Sequence, residues 1–257
     1  MQASIRIGDD PRLQYLLRIG DTCLVLAQRL GEWCGHAPVL EEDIAMSNMA
    51  LDLLGQCRAV LTHAGAIEGA GHDEDQLAFL REERDYRNVT LVELPRGDFA
   101  FTVLRNTMIA AWLEGLWELL AESSDAELAG IAGKAVKEAR YHLQHAADWV
   151  VRLGDGTPES HRRAQDALDE LWRYVRELFE PDAVDEAAQA SGLGPLCSEL
   201  RARWLEEIEP VLHDATLAVP SASGFRSTGK RGVHTEHMGY LLAEMQHLQR
   251  SFPGGAW

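Results

Sequence analysis

The sequence has few cysteines and no long apolar run, and these two shortages exclude several classes of protein. Four of the 257 residues are cysteine (Cys23, Cys34, Cys57 and Cys197), and no two of them form a CxxC pair. We therefore expect reduced thiols, with neither a disulfide framework nor a CxxC zinc site. No segment approaches the ~20 consecutive apolar residues of a membrane-spanning helix, and the N-terminal segment has no apolar signal-peptide core. The chain is expected to be soluble and cytoplasmic.

Basic residues are also scarce, since 24 lysines and arginines stand against 41 aspartates and glutamates, which gives a formal net charge of −17. Such a charge repels phosphate backbones and anionic membrane surfaces. We therefore expect neither nucleic acid nor membrane as a partner. The acidic residues are spread along helical patterns, which is typical of a solvated surface.

The common catalytic motifs are missing as well. The sequence contains no GxSxG elbow, no GxxxxGK[ST] phosphate loop and no GxGxxG turn after a strand. The nearest pattern is Gly229-Lys230-Arg231-Gly232, which no strand precedes. We interpret it as a loop, either a structural turn or a segment that meets a partner or an anionic group.

Apolar residues recur at steps of three and four over most of the chain, which predicts helices, and no strand-like alternation of useful length occurs. The predicted helices are Pro11 to about Cys34, Pro38 to about Ala64, Asp73 to Arg87, Phe99 to Leu120, Ala126 to Leu153, Glu159 to Phe179, Asp182 to Ala190, Pro195 to Ala218, and Thr235 to Arg250.

Two helical hairpins joined by a crossover, with further helices packed outside them, is the layout of a ferritin-like bundle. We therefore predict an all-α, ferritin-like four-helix bundle with additional C-terminal helices, in a single domain over residues 1–257. Residues 126–153 would form the fourth bundle helix, and residues 219–257 the C-terminal loop and last helix.

Many ferritin-like proteins hold two metals with one Glu from each of two helices and a Glu-x-x-His pair from each of the other two. The second predicted helix offers Asp52 but no histidine before His63 near its end. The fourth contains Glu138, but Tyr141 stands three residues later and His142 four. The sequence therefore predicts neither a metal site nor a catalytic residue in this chain.

Residues that remain as candidates for a degenerate site are Glu32, Asp52, Glu114, Glu138, Tyr141 and His142. One interpretation is a buried, ion-paired cluster in which Lys134, Lys137 or Arg140 neutralises Glu138. The alternative is a ferritin-like metal-binding enzyme with its own atypical iron site. One true Glu-x-x-His spacing, Glu244 to His247, lies in the final helix, outside the predicted bundle.

Four long stretches of the sequence resemble the non-catalytic C subunits of bacterial phenylacetyl-CoA 1,2-epoxidases. They are LRIGDTCLVLAQRLGEWCGHAP from Leu17, LDLLGQCR from Leu51, KEARYHL from Lys137, and TGKRGVHTEHMG from Thr228 followed by LAEMQHLQR. The similarity covers nearly the whole chain, and residues 1–11 look like a variable N-terminal extension.

The resemblance implies a ferritin-like subunit that has lost the di-iron centre and holds no cofactor of its own. Such a subunit binds and stabilises a homologous di-iron catalytic subunit, which uses dioxygen and electrons from a reductase to epoxidise phenylacetyl-CoA. The chain would thus belong to an oxygenase of phenylacetate degradation without being catalytic itself. Whether it forms a homo-oligomer when isolated is left open.

A scaffold needs a broad helix face that becomes dry on assembly. We place this face on the first two helices, around Glu32 to Pro38, with the C-terminal loop as second choice. The partner-interface candidates are Glu32, Trp33, His36, Pro38, Lys230, Arg231 and His234.

Overall fold

The computed structural model describes residues 2–255, which form ten α helices and no strand. The helices are α1 (Pro11–Gly31), α2 (Leu40–Glu68), α3 (Glu74–Phe79), α4 (Thr90–Glu93), α5 (Phe99–Leu120), α6 (Ala126–Gly154), α7 (Pro158–Trp172), α8 (Ala183–Ser191), α9 (Leu200–Asp214) and α10 (Glu236–Ser251). The all-α prediction is confirmed. Residues 1, 256 and 257, which the predicted domain includes, lie outside the described residues.

Aspartate side chains fix the starts of the long helices. Asp10 accepts a hydrogen bond from the backbone N–H of Arg12, and Asp98 accepts one from Phe101. Asp125 accepts two, from the backbone N–H groups of Glu127 and Leu128 in the first turn of α6. Each such cap contributes about 1 kcal/mol, because it satisfies an amide that has no partner within its helix.

Several helix boundaries differ from the prediction. Helix α2 begins at Leu40, so Pro38 lies in the preceding turn rather than in the first turn of the helix. The helix predicted over 73–87 is two pieces, α3 and a 3₁₀ turn at Glu83–Asp85. Helix α7 likewise ends at Trp172 and is followed by a separate 3₁₀ segment, Val175–Phe179.

The chain divides into two compact units. The first consists of the described parts of Met1–His36, Asp43–Pro95 and Ser227–Trp257, and the second of Ala37–Glu42 and Arg96–Arg226. The single domain expected from the sequence remains a prediction. Within residues 2–255, every helix is either too short or too polar to cross a membrane.

In the second unit α5 forms the centre. Nearly all of its residues are buried, and α6, α7 and α9 pack against it. The indole of Trp204, on α9, is 2% exposed and donates a hydrogen bond to the backbone oxygen of Met108 at 2.8 Å. A helix that is apolar on all sides must be surrounded, and three neighbours supply that cover.

In the first unit α1 and α2 approach closely at Gly20. A Cβ atom on Gly20 would lie 2.8 Å from Cδ2 of Leu61, so a larger residue would require the Leu61 side chain to shift. Tyr86 holds the other elements of this unit together: its hydroxyl donates to the backbone oxygen of Ala78 and accepts from Gln246 of α10 at 2.7 Å.

Candidate functional site

Two carboxylates of α5 are bound by arginines from two neighbouring helices of the second unit. Glu114 is buried, and its Oε1 accepts from Nε of Arg140 at 2.9 Å. Glu118, one turn later, accepts from Nη2 of the same arginine at 2.9 Å and from Nη1 of Arg203 on α9. The four side chains form one network of alternating charge, named here the arginine–glutamate cluster.

The electrostatics of the cluster favour the ionised carboxylate. The hydrogen bond from Arg203 holds the pKa of Glu118 below its ordinary value, and the reciprocal bond raises the pKa of Arg203. A metal ion at these carboxylates would have to displace two cations that already neutralise them.

The other candidates on α6 complete no di-iron ligand set. Glu138 lies 3.6 Å from the ammonium group of Lys134, one of the three partners predicted for it, whereas Arg140 pairs with Glu114 and Glu118. Tyr141, which takes the place of the histidine in a Glu-x-x-His pair, is 53% exposed. His142 is buried. Within residues 2–255 no three His, Cys, Asp or Glu side chains converge in a way that would hold a metal, so the donor set does not fit two irons.

Glu32 and Asp52 belong to the first unit, whereas the other degenerate-site candidates belong to the second. Glu32 is half-buried and pairs with Arg29 at 2.5 Å. Asp52 is half-buried on α2.

One close pair was not predicted from the sequence. His145 on α6 lies 3.0 Å from Oε2 of Glu42 in the first turn of α2, although the two groups are not aligned as a hydrogen bond. Glu42 lies near the positive end of α2, where an acidic residue is favourable without any partner. The sequence carried no signal for the pairing, because 103 positions separate the two residues.

The loop TGKRGVHT in the first unit is tied to the crossing segment that contains α4. Glu93 is completely buried, and its carboxylate accepts from Nδ2 of Asn88, from Nδ1 of His234 at 2.8 Å and from the backbone N–H of Thr235 at 2.6 Å. The other ring nitrogen of His234 faces the backbone oxygen of Tyr86 at 3.1 Å. A buried carboxylate with three donors fixes both segments in place.

Two glycines allow this loop its close approach. A Cβ on Gly229 would lie 2.6 Å from the backbone oxygen of Asn88. Gly232 has φ +80°, and its Cβ would lie 2.3 Å from the backbone oxygen of Arg84. Internal packing thus explains both glycines of the Gly229-Lys230-Arg231-Gly232 pattern.

The interface candidates of this loop differ in their access to solvent. Lys230 is buried and the His234 side chain is inaccessible, whereas Arg231 and its neighbour Val233 are exposed. A partner at this loop would therefore meet Arg231 first, and the loop stays a predicted interface.

His234 makes stability depend on pH. Burial by itself lowers the pKa of His234, but the hydrogen bond and charge of Glu93 outweigh it and leave the pKa above the ordinary 6.5. The resulting stabilisation is present below pH 6.5 and is lost as the pH rises through the raised pKa. We expect the gap in unfolding free energy between the native chain and His234→Gln to shrink as the pH rises from 6.5 through the raised pKa. Chemical denaturation at several pH values measures it, and a gap that widened with pH would contradict this assignment.

The residues of the other predicted interface segment, Glu32 to Pro38, differ in their exposure to solvent. Trp33 is 6% exposed and packs in the core, so it offers a partner little area, whereas His36 and Pro38 are exposed. This segment lies directly before α2 in the chain.

Helix α2 presents an exposed stripe that lacks acidic residues. The stripe consists of Ile44, Asn48, Leu51, Gly55 and Arg58, spaced at three and four and all exposed. Ile44 is 54% and Leu51 64% accessible. None of the five is negatively charged, although the chain has 41 acidic residues. In contrast, the exposed face of α7 carries charged pairs such as Arg162 with Glu159 and Asp166, as a solvated helix usually does.

Comparisons with known proteins agree with this description. The model of the family described as phenylacetic acid catabolic protein matches residues 2–257. The C subunit of 1,2-phenylacetyl-CoA epoxidase from Escherichia coli (strain K12) is 51% identical over 243 residues, which are 95% of this chain and 98% of that protein. The match confirms the predicted resemblance and, with the helices described above, the ferritin-like all-α fold class. The chain belongs to the phenylacetic acid catabolic protein family.

Proposed function

We propose that this chain is the non-catalytic structural subunit of a phenylacetyl-CoA 1,2-epoxidase complex, acting in the cytoplasm in aerobic phenylacetate degradation. It binds and stabilises a homologous di-iron catalytic subunit, which receives electrons from a reductase. The chain itself supplies no iron ligands to the reaction.

Assignment to the complex rests on the relative. A protein 51% identical over almost the full length of both chains is named as the C subunit of 1,2-phenylacetyl-CoA epoxidase. Its name places it in a multisubunit enzyme, and identity at this level over both full lengths supports the same assembly for this chain.

The arginine–glutamate cluster supports a non-catalytic role and is the observation that carries it. A di-iron site requires anionic carboxylates that are available to the metals. Glu114 and Glu118 are instead neutralised by Arg140, which lies 2.9 Å from each of them, and Glu118 also by Arg203. Arginine remains charged at every physiological pH, so this arrangement persists.

The stripe on α2 supports partner binding and is the surface that we propose for it. A second helical surface would bury the exposed side chains of Ile44 and Leu51 and exclude water from them. Because no acidic residue of the stripe lies between them, a partner would not meet there the negative charge that the rest of this chain carries. The occupant we assign to this stripe is the homologous catalytic subunit.

Iron content tests the proposal. The purified chain, alone and co-expressed with its homologous partner, is passed through gel filtration and analysed by plasma mass spectrometry. We expect essentially no iron in the chain alone and about two irons per partner subunit in the complex. Stoichiometric iron in the chain alone would overturn the non-catalytic role and favour a metal-binding enzyme with an atypical site.

Glu138 gives a second test, because it is the carboxylate of α6 nearest to a Glu-x-x-His spacing. Its side chain is 20% accessible and pairs with Lys134, which is 79% accessible. We expect Glu138→Ala to leave turnover of the reconstituted complex within about twofold of the native value, since surface pairs of this kind contribute little. Gel filtration confirms assembly, and an assembled complex without turnover would contradict the expectation.

A further inference from the structure

A cleft in the second unit combines aromatic rings with arginines, and no part of the proposed function uses it. The cleft has a volume of about 390 Å³, and the 3₁₀ segment Val175–Phe179, α9 and the loop at Ala222 line it. This volume lies within the range of small-molecule sites.

Aromatic side chains form the inner wall. The ring centroids of Trp172 and Trp204 are 5.8 Å apart, and those of Phe179 and Trp204 are 5.3 Å apart with nearly edge-to-face geometry. Trp204 and Phe179 are buried, whereas Trp172 is half-buried and keeps part of its ring accessible. A rigid wall of rings favours a planar aromatic ligand.

Arginines surround the mouth of the cleft. Arg173, Arg176 and Arg201 line it, against one carboxylate, Glu180. That carboxylate is already bound by Arg176 at 3.1 Å and by Arg226 at 3.9 Å. The local charge is therefore positive in a chain whose net charge is −17.

The guanidinium of Arg173 is held by neighbouring aromatic rings. It lies 5.0 Å from the ring centroid of Tyr174 and 5.2 Å from that of Phe225. These two ring contacts, and the hydrogen bond from its Nη2 to the Tyr174 hydroxyl at 3.1 Å, restrict the guanidinium, which reduces the entropy lost when it binds an anion. Arg201 is exposed on α9, where an incoming anion can reach it.

We propose that this cleft binds a small molecule in which a planar aromatic ring is joined to at least two negative charges, as in a nucleoside diphosphate. The ring packs against the accessible part of Trp172, and the phosphate oxygens accept hydrogen bonds from the arginines. Several arginines suit a diphosphate better than a single carboxylate, because each forked guanidinium pairs with two oxygens. The inference is independent of the proposed function.

Isothermal titration calorimetry on the isolated full chain tests the proposal with ADP as the probe. Adenosine carries the ring without the charge, and pyrophosphate carries the charge without the ring. We expect ADP to bind at least about tenfold more tightly than either, since both halves of the cleft contribute. No heat from ADP, or pyrophosphate binding as tightly as ADP, would overturn the proposal.

Variants locate the bound probe. Arg201→Glu reverses one charge of the cleft at an exposed position and should weaken ADP binding at least about tenfold. Lys137→Glu makes the same charge change at an exposed position of α6 outside the cleft and should leave ADP binding unchanged. Equal affinity in both variants would place ADP elsewhere and overturn the assignment. A further outcome would also overturn the assignment: the native chain does not bind ADP, and Arg201→Glu loses binding of the catalytic subunit. The cleft would then be a binding site for a protein partner.

Discussion

Replacing Arg81 with methionine lowers the free energy of unfolding by about 3–5 kcal/mol, because it leaves a buried carboxylate without its counter-ion. Arg81 and Asp21 are both completely inaccessible, and Nη1 of the arginine donates to Oδ2 of the aspartate at 2.9 Å while Nη2 donates to Oδ1. The guanidinium also lies 4.3 Å from the ring centroid of Tyr86. The pair joins α1 to the segment after α3, so its loss loosens the whole first unit.

The double variant Asp21→Leu/Arg81→Met separates the two parts of this cost. Removing both charges avoids the unpaired carboxylate, and apolar pairs in such positions are often neutral. Asp21 also accepts the backbone N–H of Arg87 at 2.7 Å, so the double variant still loses that bond, at about 1–3 kcal/mol. We therefore expect it to be more stable than Arg81→Met and less stable than the native chain.

Denaturation in guanidinium chloride followed by circular dichroism measures these differences. Arg162→Met on α7 is the matched control, because Arg162 is also paired, to Glu159 and Asp166, but at the surface. We expect its midpoint to equal that of the native chain. An Arg81→Met midpoint that also matched the native value would show that the buried pair does not stabilise the fold.

Local patterns in the sequence were sufficient to predict the long helices. The apolar period predicts α5 from Phe99 to Leu120, and the structure has the same bounds. Asp125 likewise marks the start of α6. These signals lie within a few residues of the helices they define, so they can be recognised in a single sequence.

Where a predicted helix boundary was wrong, contacts between residues far apart in the sequence determine where the helix ends. The helix expected over 73–87 stops after Phe79, because Arg81 turns inward to Asp21, 60 residues away. The apolar periodicity of the sequence does not predict that ion pair. The same holds for Glu93, whose partners His234 and Thr235 follow more than 140 residues later.

At the candidate site, too, local spacings were predicted from the sequence, whereas contacts between distant residues were not. The absence of a Glu-x-x-His pair from α2 and α6 was visible in the sequence, because the spacing is local. Arg140 was among the predicted partners, although for Glu138 rather than for Glu114 and Glu118. Arg203 was missed, because α9 contributes it and helix order alone does not tell which outer helix reaches α5.

Leu51→Asp abolishes most of the binding of the homologous catalytic subunit if the stripe on α2 is the interface. The substitution places a carboxylate at the centre of a surface that becomes dry on assembly, where an unpaired charge is costly. We expect the dissociation constant to rise at least about tenfold, and Ile44→Asp to act in the same direction. Because both side chains are more than half exposed in the isolated chain, its own stability should change little.

Leu119→Asp supplies the matched control. Leu119 is an exposed leucine on α5, 43% accessible, and the same substitution there adds the same charge outside the stripe. Surface plasmon resonance with the immobilised partner compares the three variants, and circular dichroism confirms that each is folded. If Leu51→Asp binds as the native chain does while Leu119→Asp does not, the interface lies on the second unit rather than on α2. If neither variant loses binding, the C-terminal loop at Arg231 becomes the next surface to test, because Arg231 and Val233 are exposed there and Lys230 is not.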